Sequence, residues 1–182
     1  HKVLLTEKEQ AFTLISKEEP LKISVDPEFD LFRKLHQEEV PPSLSKIFSA
    51  KRVMILLPSN ASKTVQNRYQ KIAELWKKNN ITVHLDTEFE TLPTDTALWI
   101  MGAENKFAHH INQAINSYGA TLSETDAQIN DTTISLKNHS TVIMSRNPDN
   151  QSQIMVFLSI HDFDAIPGLA RKLPHYGKYS YL

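Results

Sequence analysis

Five short, largely apolar runs place the strongest constraint on how this chain can fold. Residues 53–57 form a continuous apolar run closed by Pro58, which is typical of a strand buried on both faces. The other runs cover residues 81–85, 97–101, 141–144 and 154–160. Because predicted strands and helices alternate from residue 52 onward, the sequence predicts an α/β fold. The predicted form is a three-layer α/β/α sandwich with a mainly parallel sheet, preceded by a short β-strand appendage.

Three segments between or after these runs carry apolar residues at helical spacing. They cover residues 65–76, 104–118 and 163–173, and Asp162 precedes the third as a helix-capping residue. A hairpin is predicted over residues 129–136, turning at Asn130-Asp131. It adds an antiparallel element, which such sheets accommodate at an edge.

The first 50 residues have a different pattern. Residues 21–25 alternate apolar and polar side chains strictly and residues 10–15 do so in part, which predicts two strands. Two strands alone do not form a stable sheet, so they should pack on the rest of the chain or belong to a sheet completed elsewhere. Helix-like spacing follows at residues 29–35, and Pro41-Pro42 opens another short helix. The predicted organisation is a strand pair at 1–26, a helical linker at 27–50 and an α/β domain at 51–182.

Composition excludes several classes of partner. The formal charge is −1 and the pI about 6.8, which gives no electrostatic basis for binding nucleic acid or an anionic membrane. No apolar run approaches the ~20 residues of a membrane-spanning helix, so we expect no membrane insertion. The chain has no cysteine, which removes disulfides, thiolate zinc sites and cysteine nucleophiles together. The composition does not indicate the cellular compartment of the protein.

The sequence contains few candidate catalytic residues. His109 and His110 are adjacent, so on a helix their side chains point about 100° apart and one ion cannot easily take both. The simpler interpretation is that one faces solvent and the other touches the sheet edge. Residues 161–164 (His-Asp-Phe-Asp) fit a metal loop or, more simply, a capped helix start with acidic residues near the helix dipole. There is no Gly-x-Ser-x-Gly nucleophile motif. We expect no catalytic residue, no metal site and no cofactor in this segment.

One weak ligand site is suggested by topology. Open α/β sheets bind ligands at the carboxyl ends of their strands, where Ser59 and Asn60 follow one strand and Gly102 and Asn105 follow another. A helix N-terminus there remains a candidate for an anion. A single glycine is far short of a phosphate-binding loop.

The last thirteen residues combine aromatic rings with positive charge. Pro174 stops a helix and Gly177 permits a turn, while rings with polar tips suit interfaces. The rings pack either on this domain's own last helix or on residues outside the sequence. Since free chains usually end in polar, frayed tails, the apolar ending at Leu182 leads us to expect a piece of a larger protein. The candidate interface residues are Arg171, His175, Tyr176, Lys178, Tyr179 and Tyr181.

Both ends of the chain resemble one family. Residues 10–15, followed by a turn, Pro20, an alternating strand and Asp26-Pro27, resemble the last two strands of the β-sandwich that follows the catalytic domain in aminopeptidase N-like zinc metallopeptidases. Residues 25–44 and 169–182 are similar to the C-terminal region of a bacterial subset of that family. The middle of the chain matches only in its α/β pattern.

The resemblance implies a non-catalytic role. The family's His-Glu-x-x-His zinc helix and its Gly-x-Met-Glu-Asn substrate-anchoring motif are both absent, and residues 102–105 (Gly-Ala-Glu-Asn) lack the methionine. The implied function is a C-terminal accessory or interaction domain of a zinc metallo-aminopeptidase-like protein; its localisation is unknown, and the cell envelope or periplasm is the candidate compartment for the parent. Its partners would be other domains of the same chain or a second copy. The alternative is a Rossmann-like or flavodoxin-like module that binds a small molecule in the crevice. A third interpretation is a hydrolase of unknown type. The absence of a nucleophile motif from the sequence argues against it.

Overall fold

Two compact units make up the chain, His1–His36 and Gln37–Leu182. The structure, a computed structural model, describes residues 3–20, 23–28, 30–35, 39–116 and 118–182.

The first unit contains a local turn organised by Asp26. This residue has a left-handed backbone with φ of 53°. Its carboxylate accepts hydrogen bonds from the backbone N–H groups of Asp30 and Leu31, at 2.9 and 3.1 Å. The Arg33 guanidinium donates to the Val25 carbonyl oxygen at 2.6 Å. The Asp26-Pro27 break predicted from the sequence is therefore a side-chain-stabilised turn.

The predicted strand pair is not present in the described part of this unit. Residues 10–15 form no strand, so that prediction is wrong, and residues 23–25 form none either, while Leu21 and Lys22 lie outside the described residues. The apolar side chains that should have been covered, including Ile15 and Ile23, are exposed. Without burial on a further layer, two strands have little to stabilise them. The helix expected at 29–35 is also wrong over residues 30–35, and Phe29 lies outside the described residues.

The second unit is built from alternating strands and helices. Its elements are α1 (Leu44–Phe48), β1 (Val53–Leu57), α2 (Lys63–Trp76), β2 (Ile81–Leu85), β3 (Ala97–Met101), α3 (Ala108–Asn116), β4 (Ala120–Leu122), β5 (Asp126–Ile129), β6 (Thr132–Ser135), β7 (Thr141–Asn147), β8 (Asn150–Ser159) and α4 (Ile166–Lys172). Short 3₁₀ turns cover Asp86–Glu88, Phe163–Ala165 and Leu173–Tyr176.

The main sheet has five strands in the order β2-β1-β3-β8-β7. The first four are parallel, and β7 pairs antiparallel with β8. The mixed α/β fold with a mainly parallel sheet is thus confirmed, and the predicted bounds of β1, β2 and β3 match the structure. The predicted 129–136 hairpin turns at Asn130, whose φ is 51°, but it joins β4 in a separate three-stranded sheet. The antiparallel edge of the main sheet is β7 instead.

Two predicted helices are shorter than expected. The helix placed at 104–118 begins only at Ala108, because the Asn105 side chain accepts the backbone N–H of Phe107 and holds a turn there. The segment predicted at 163–173 starts as a 3₁₀ turn before α4. The Asp162 carboxylate accepts the Asp164 backbone N–H at 2.9 Å, so capping is the role of that aspartate.

Alternate residues of the central strands contribute to two separate hydrophobic clusters. Ile55 and Trp99 belong to a cluster that includes residues of α1, α2 and α4. Leu56 and Ile100 belong to a second cluster, which includes residues of α3 and of the small sheet. The Trp76 indole N–H also donates to the Ala170 carbonyl oxygen at 3.0 Å, tying α2 to α4. Both faces of β1 and β3 are therefore buried, which fixes the loops at their carboxyl ends.

Candidate functional site

The crevice predicted from topology exists at the carboxyl ends of β1 and β3. Strand β1 lies between β2 and β3, so the chain leaves β1 toward one side of the sheet and β3 toward the other. An open cleft of about 500 Å³ lies there, and residues from the loop after β3 and from the loop between β4 and β5 line it, including Glu104 and Thr125. Of the four predicted crevice residues, Asn60 and Asn105 line this cleft.

Asp86 joins the two loops and was not predicted from the sequence. It follows β2 and is fully buried. One carboxylate oxygen accepts the backbone N–H of Ser59 at 3.0 Å, and the other accepts that of Lys106 at 2.8 Å. The carboxyl ends of β1, β2 and β3 are thus held together by one side chain, which we call the Asp86 clasp.

Asn105 also has a structural role. Its side-chain amide donates to the Leu56 carbonyl oxygen at 2.9 Å, and its side-chain oxygen accepts from the Phe107 N–H at 3.1 Å. The side chain is buried, and both of its polar ends are engaged within the protein. Asn105 therefore fixes the turn from β3 to α3 rather than offering its polar atoms to a ligand.

Both the backbone conformation at residue 102 and the side chains around it require a glycine. Its φ is +77°, a conformation that L residues with a side chain rarely adopt. An added Cβ would lie 2.9 Å from the Glu104 carboxylate and 3.1 Å from the Tyr69 ring. The glycine permits close packing here, and it does not form a phosphate-binding loop.

Ser59 and Asn60 differ in their hydrogen bonding and in their exposure. The Ser59 N–H is bound to the clasp, and the Ser59 carbonyl oxygen accepts from the Gln66 amide at 2.8 Å. Asn60 is exposed. An anion would compete with the protein's own carboxylate for the N–H groups of Ser59 and Lys106, so the crevice is poorly suited to phosphate.

Tyr69 lies beneath the crevice and is buried. Its hydroxyl oxygen accepts the Ile160 backbone N–H at 3.2 Å. Burial raises the pKa of the Tyr69 hydroxyl to about 12, and the nearby Glu104 charge acts in the same direction. Tyr69 is therefore neutral near pH 7 and acts as a structural group.

The two adjacent histidines lie side by side on α3. His109 is exposed and His110 is partly buried, while their ring centroids are 4.0 Å apart. Burial, and then the neighbouring His109, lower the pKa of His110. Across the described ranges, no group of three or more His, Cys, Asp or Glu side chains is placed to hold a metal ion.

The last six residues, 177–182, which we call the tail segment, begin with a turn at residues 177–178 and then run along the edge of β7. It pairs antiparallel with β7, with Tyr181 opposite Ile143. The Ser180 carbonyl oxygen accepts from Met144, and Leu182 exchanges two backbone hydrogen bonds with Val142. The tail backbone therefore docks on its own domain, which the sequence did not reveal.

The side chains around the tail segment remain largely outside the core. Tyr176, Tyr179 and Tyr181 are 40%, 41% and 55% exposed. The Tyr176 and Tyr179 rings lie 5.9 Å apart, and the Lys178 ammonium lies 5.3 Å from the Tyr179 ring centroid. Together with the exposed Arg171 and His175, these side chains form what we call the tyrosine surface.

Comparisons with known proteins add no relative. No protein-family model matches the chain, and no curated protein matches it. Among the described residues, no helix has the length and apolar character needed to cross a bilayer.

Proposed function

We propose that this chain is a non-catalytic interaction module, and that the tyrosine surface is where it contacts other domains of the protein to which it belongs. One observation carries the proposal. The tail backbone is held by main-chain hydrogen bonds to β7, while three tyrosine rings on and beside it stay 40–55% exposed. Rings fixed in place but uncovered lose little entropy on binding, and tyrosine is enriched at the centres of interfaces.

The crevice supports the small-molecule alternative less well. The Asp86 carboxylate is engaged by two backbone N–H groups, and the Asn105 amide by backbone groups at both ends. Ligand sites need polar groups that converge on the ligand. Here the Asp86 and Asn105 side chains bind backbone groups of the protein itself, and among the four predicted crevice residues the Ser59 hydroxyl is the one buried polar side-chain group without a partner.

The larger protein that we propose is zinc aminopeptidase-like, as the resemblance at the two ends of the sequence implies. The chain would be an accessory region beside the catalytic domain, with no reaction of its own. We also infer a three-layer α/β/α arrangement for the second unit. The two hydrophobic clusters on alternate residues of β1 and β3 support it.

Replacing Tyr176, Tyr179 and Tyr181 together by alanine should weaken docking to the separately expressed catalytic portion of the parent at least tenfold. Each well-packed ring contributes about 1–3 kcal/mol when buried, and tenfold corresponds to about 1.4 kcal/mol. Thermal stability should change little because the rings are only half-buried within this chain. Titration calorimetry and thermal melts give the two readouts.

Tyr118→Ala is the control, since Tyr118 is also exposed, at 62%, but lies outside the tyrosine surface, two residues beyond the end of α3. It should leave docking unchanged. A large fall in melting temperature in the triple variant, with docking intact, would show that the rings serve the domain's own packing.

A further inference from the structure

The β7 edge of the main sheet is closed by the tail segment through backbone hydrogen bonds, and the Ser180 hydroxyl also donates to the Pro42 carbonyl oxygen at 2.5 Å. Met144 N–H donates to the Ser180 carbonyl oxygen at 3.0 Å, and Val142 and Leu182 exchange hydrogen bonds of 2.9 and 3.0 Å. Near α1, Leu44 N–H donates to the Tyr179 carbonyl oxygen at 3.0 Å, and Ser45 N–H donates to that of Gly177 at 2.8 Å. Three of these five bonds pair residues 180–182 with the edge of β7, as in strand addition, and two join residues 177 and 179 to the start of α1.

The opposite edge of the sheet is closed differently. At β2, the Leu85 N–H donates to the Glu88 carboxylate at 2.7 Å, and the Ile81 N–H donates to the Lys78 carbonyl oxygen at 3.0 Å. Each of these acceptors lies three residues from its donor in the sequence. A segment of another copy therefore cannot replace them unless the β2 edge itself unfolds. The β7 edge is instead closed by residues more than thirty positions away in the sequence, which follow the 3₁₀ turn Leu173–Tyr176.

We propose that the β7 edge is a strand-exchange site, and that the tail segment of one copy docks on β7 of a second copy to give a domain-swapped dimer. All five backbone bonds are available to an identical segment from another copy, so the exchange loses none of them. The hinge lies at Gly177, because the preceding Leu173 is buried and anchors the 3₁₀ turn. Tyr179 and Tyr181 in the segment are already 41% and 55% exposed, so its release uncovers only the remaining part of each side chain.

Concentration decides between the closed monomer and the swapped dimer. A short tether holds the tail at an effective concentration in the millimolar range, so the intramolecular pairing prevails in dilute solution. The dimer forms when the chain is refolded at comparable concentration, because then the tails of neighbouring copies compete. This proposal does not depend on the proposed function.

The test uses the double variant Ile143→Cys/Tyr181→Cys. The natural chain has no cysteine, and these residues face each other across a pair that is not directly hydrogen-bonded. Such pairs have Cα atoms about 4.5 Å apart, within disulfide range. The variant is refolded at about 10 μM or about 1 mM, the range set by the effective concentration, then diluted, oxidised and run on a non-reducing gel.

After concentrated refolding we expect at least a tenfold larger fraction of disulfide-linked dimer than after dilute refolding, with 143–181 cross-links identified by peptide mapping. Intrachain disulfides alone at both concentrations would overturn the proposal. If the Ile143 substitution prevents folding, sedimentation of the natural chain after the same two refolding protocols decides the question. Its dimer should persist in Leu182→Ala and be lost in Leu182→Pro, which removes the N–H donated to Val142. A natural chain that stays monomeric at both concentrations would equally contradict strand exchange.

Discussion

Leu56→Asp is expected to leave the second unit unfolded at 25 °C. Leu56 is fully buried in β1, where it pairs with His84 of β2 on one side and Ile100 of β3 on the other. The change loses about 2 kcal/mol of apolar burial and adds several kcal/mol for a buried carboxylate without a partner. Because a domain's whole stability is about 5–15 kcal/mol, the loss is close to total.

Circular dichroism and thermal melts measure this outcome. Thr82→Asp is the control: it places the same carboxylate on the neighbouring strand, opposite Met54, but at an exposed position. It should cost less than about 1 kcal/mol. If Leu56→Asp keeps the natural melting temperature, β1 is not a central strand.

Asp86→Asn should lower the free energy of unfolding by about 3 kcal/mol. The clasp accepts one backbone N–H at each carboxylate oxygen, and a hydrogen bond to a charged group contributes about 1.5–3 kcal/mol. Asparagine keeps the shape but presents an NH₂ group to one of those N–H donors. Ser59 or Lys106 would then be left with an unsatisfied N–H in a poorly hydrated site.

Urea unfolding of the natural chain and of the Asp86→Asn variant measures this difference in the free energy of unfolding. Asp95→Asn is the matched control, because Asp95 is exposed and pairs with the exposed Arg52 at 2.9 Å. Surface pairs of this kind contribute about 0–1 kcal/mol. Equal stability of Asp86→Asn and the natural chain would mean that the loops hold their positions without the clasp.

The second unit could be predicted well because its signals are local and agree with one another. Val53–Leu57 and Ala97–Met101 are continuous apolar runs, and the structure gives both strands the predicted bounds. Residues 10–15 alternate only in part, and no strand forms there. Alternation indicates which face of a strand would be buried. A stable strand also needs another layer of structure to cover that face.

The features missed at the candidate site are non-local. Asp86 stands in a polar stretch after β2 that reads as an ordinary turn, and its hydrogen-bond partners lie 27 and 20 residues away. Tail pairing with β7 was missed because main-chain hydrogen bonds leave no side-chain pattern in the sequence. The sequence left open whether the tail tyrosines pack on their own domain or on other residues, and in the structure they are 40–55% exposed.

The sequence of the gene around the codons for this segment tests the proposed parent most directly. We predict that the reading frame continues upstream of the His1 codon and encodes a His-Glu-x-x-His motif followed by a downstream glutamate. That result would show that this segment and a zinc peptidase domain belong to one chain. A frame that begins at this segment, or an upstream region without the motif, would contradict the proposal.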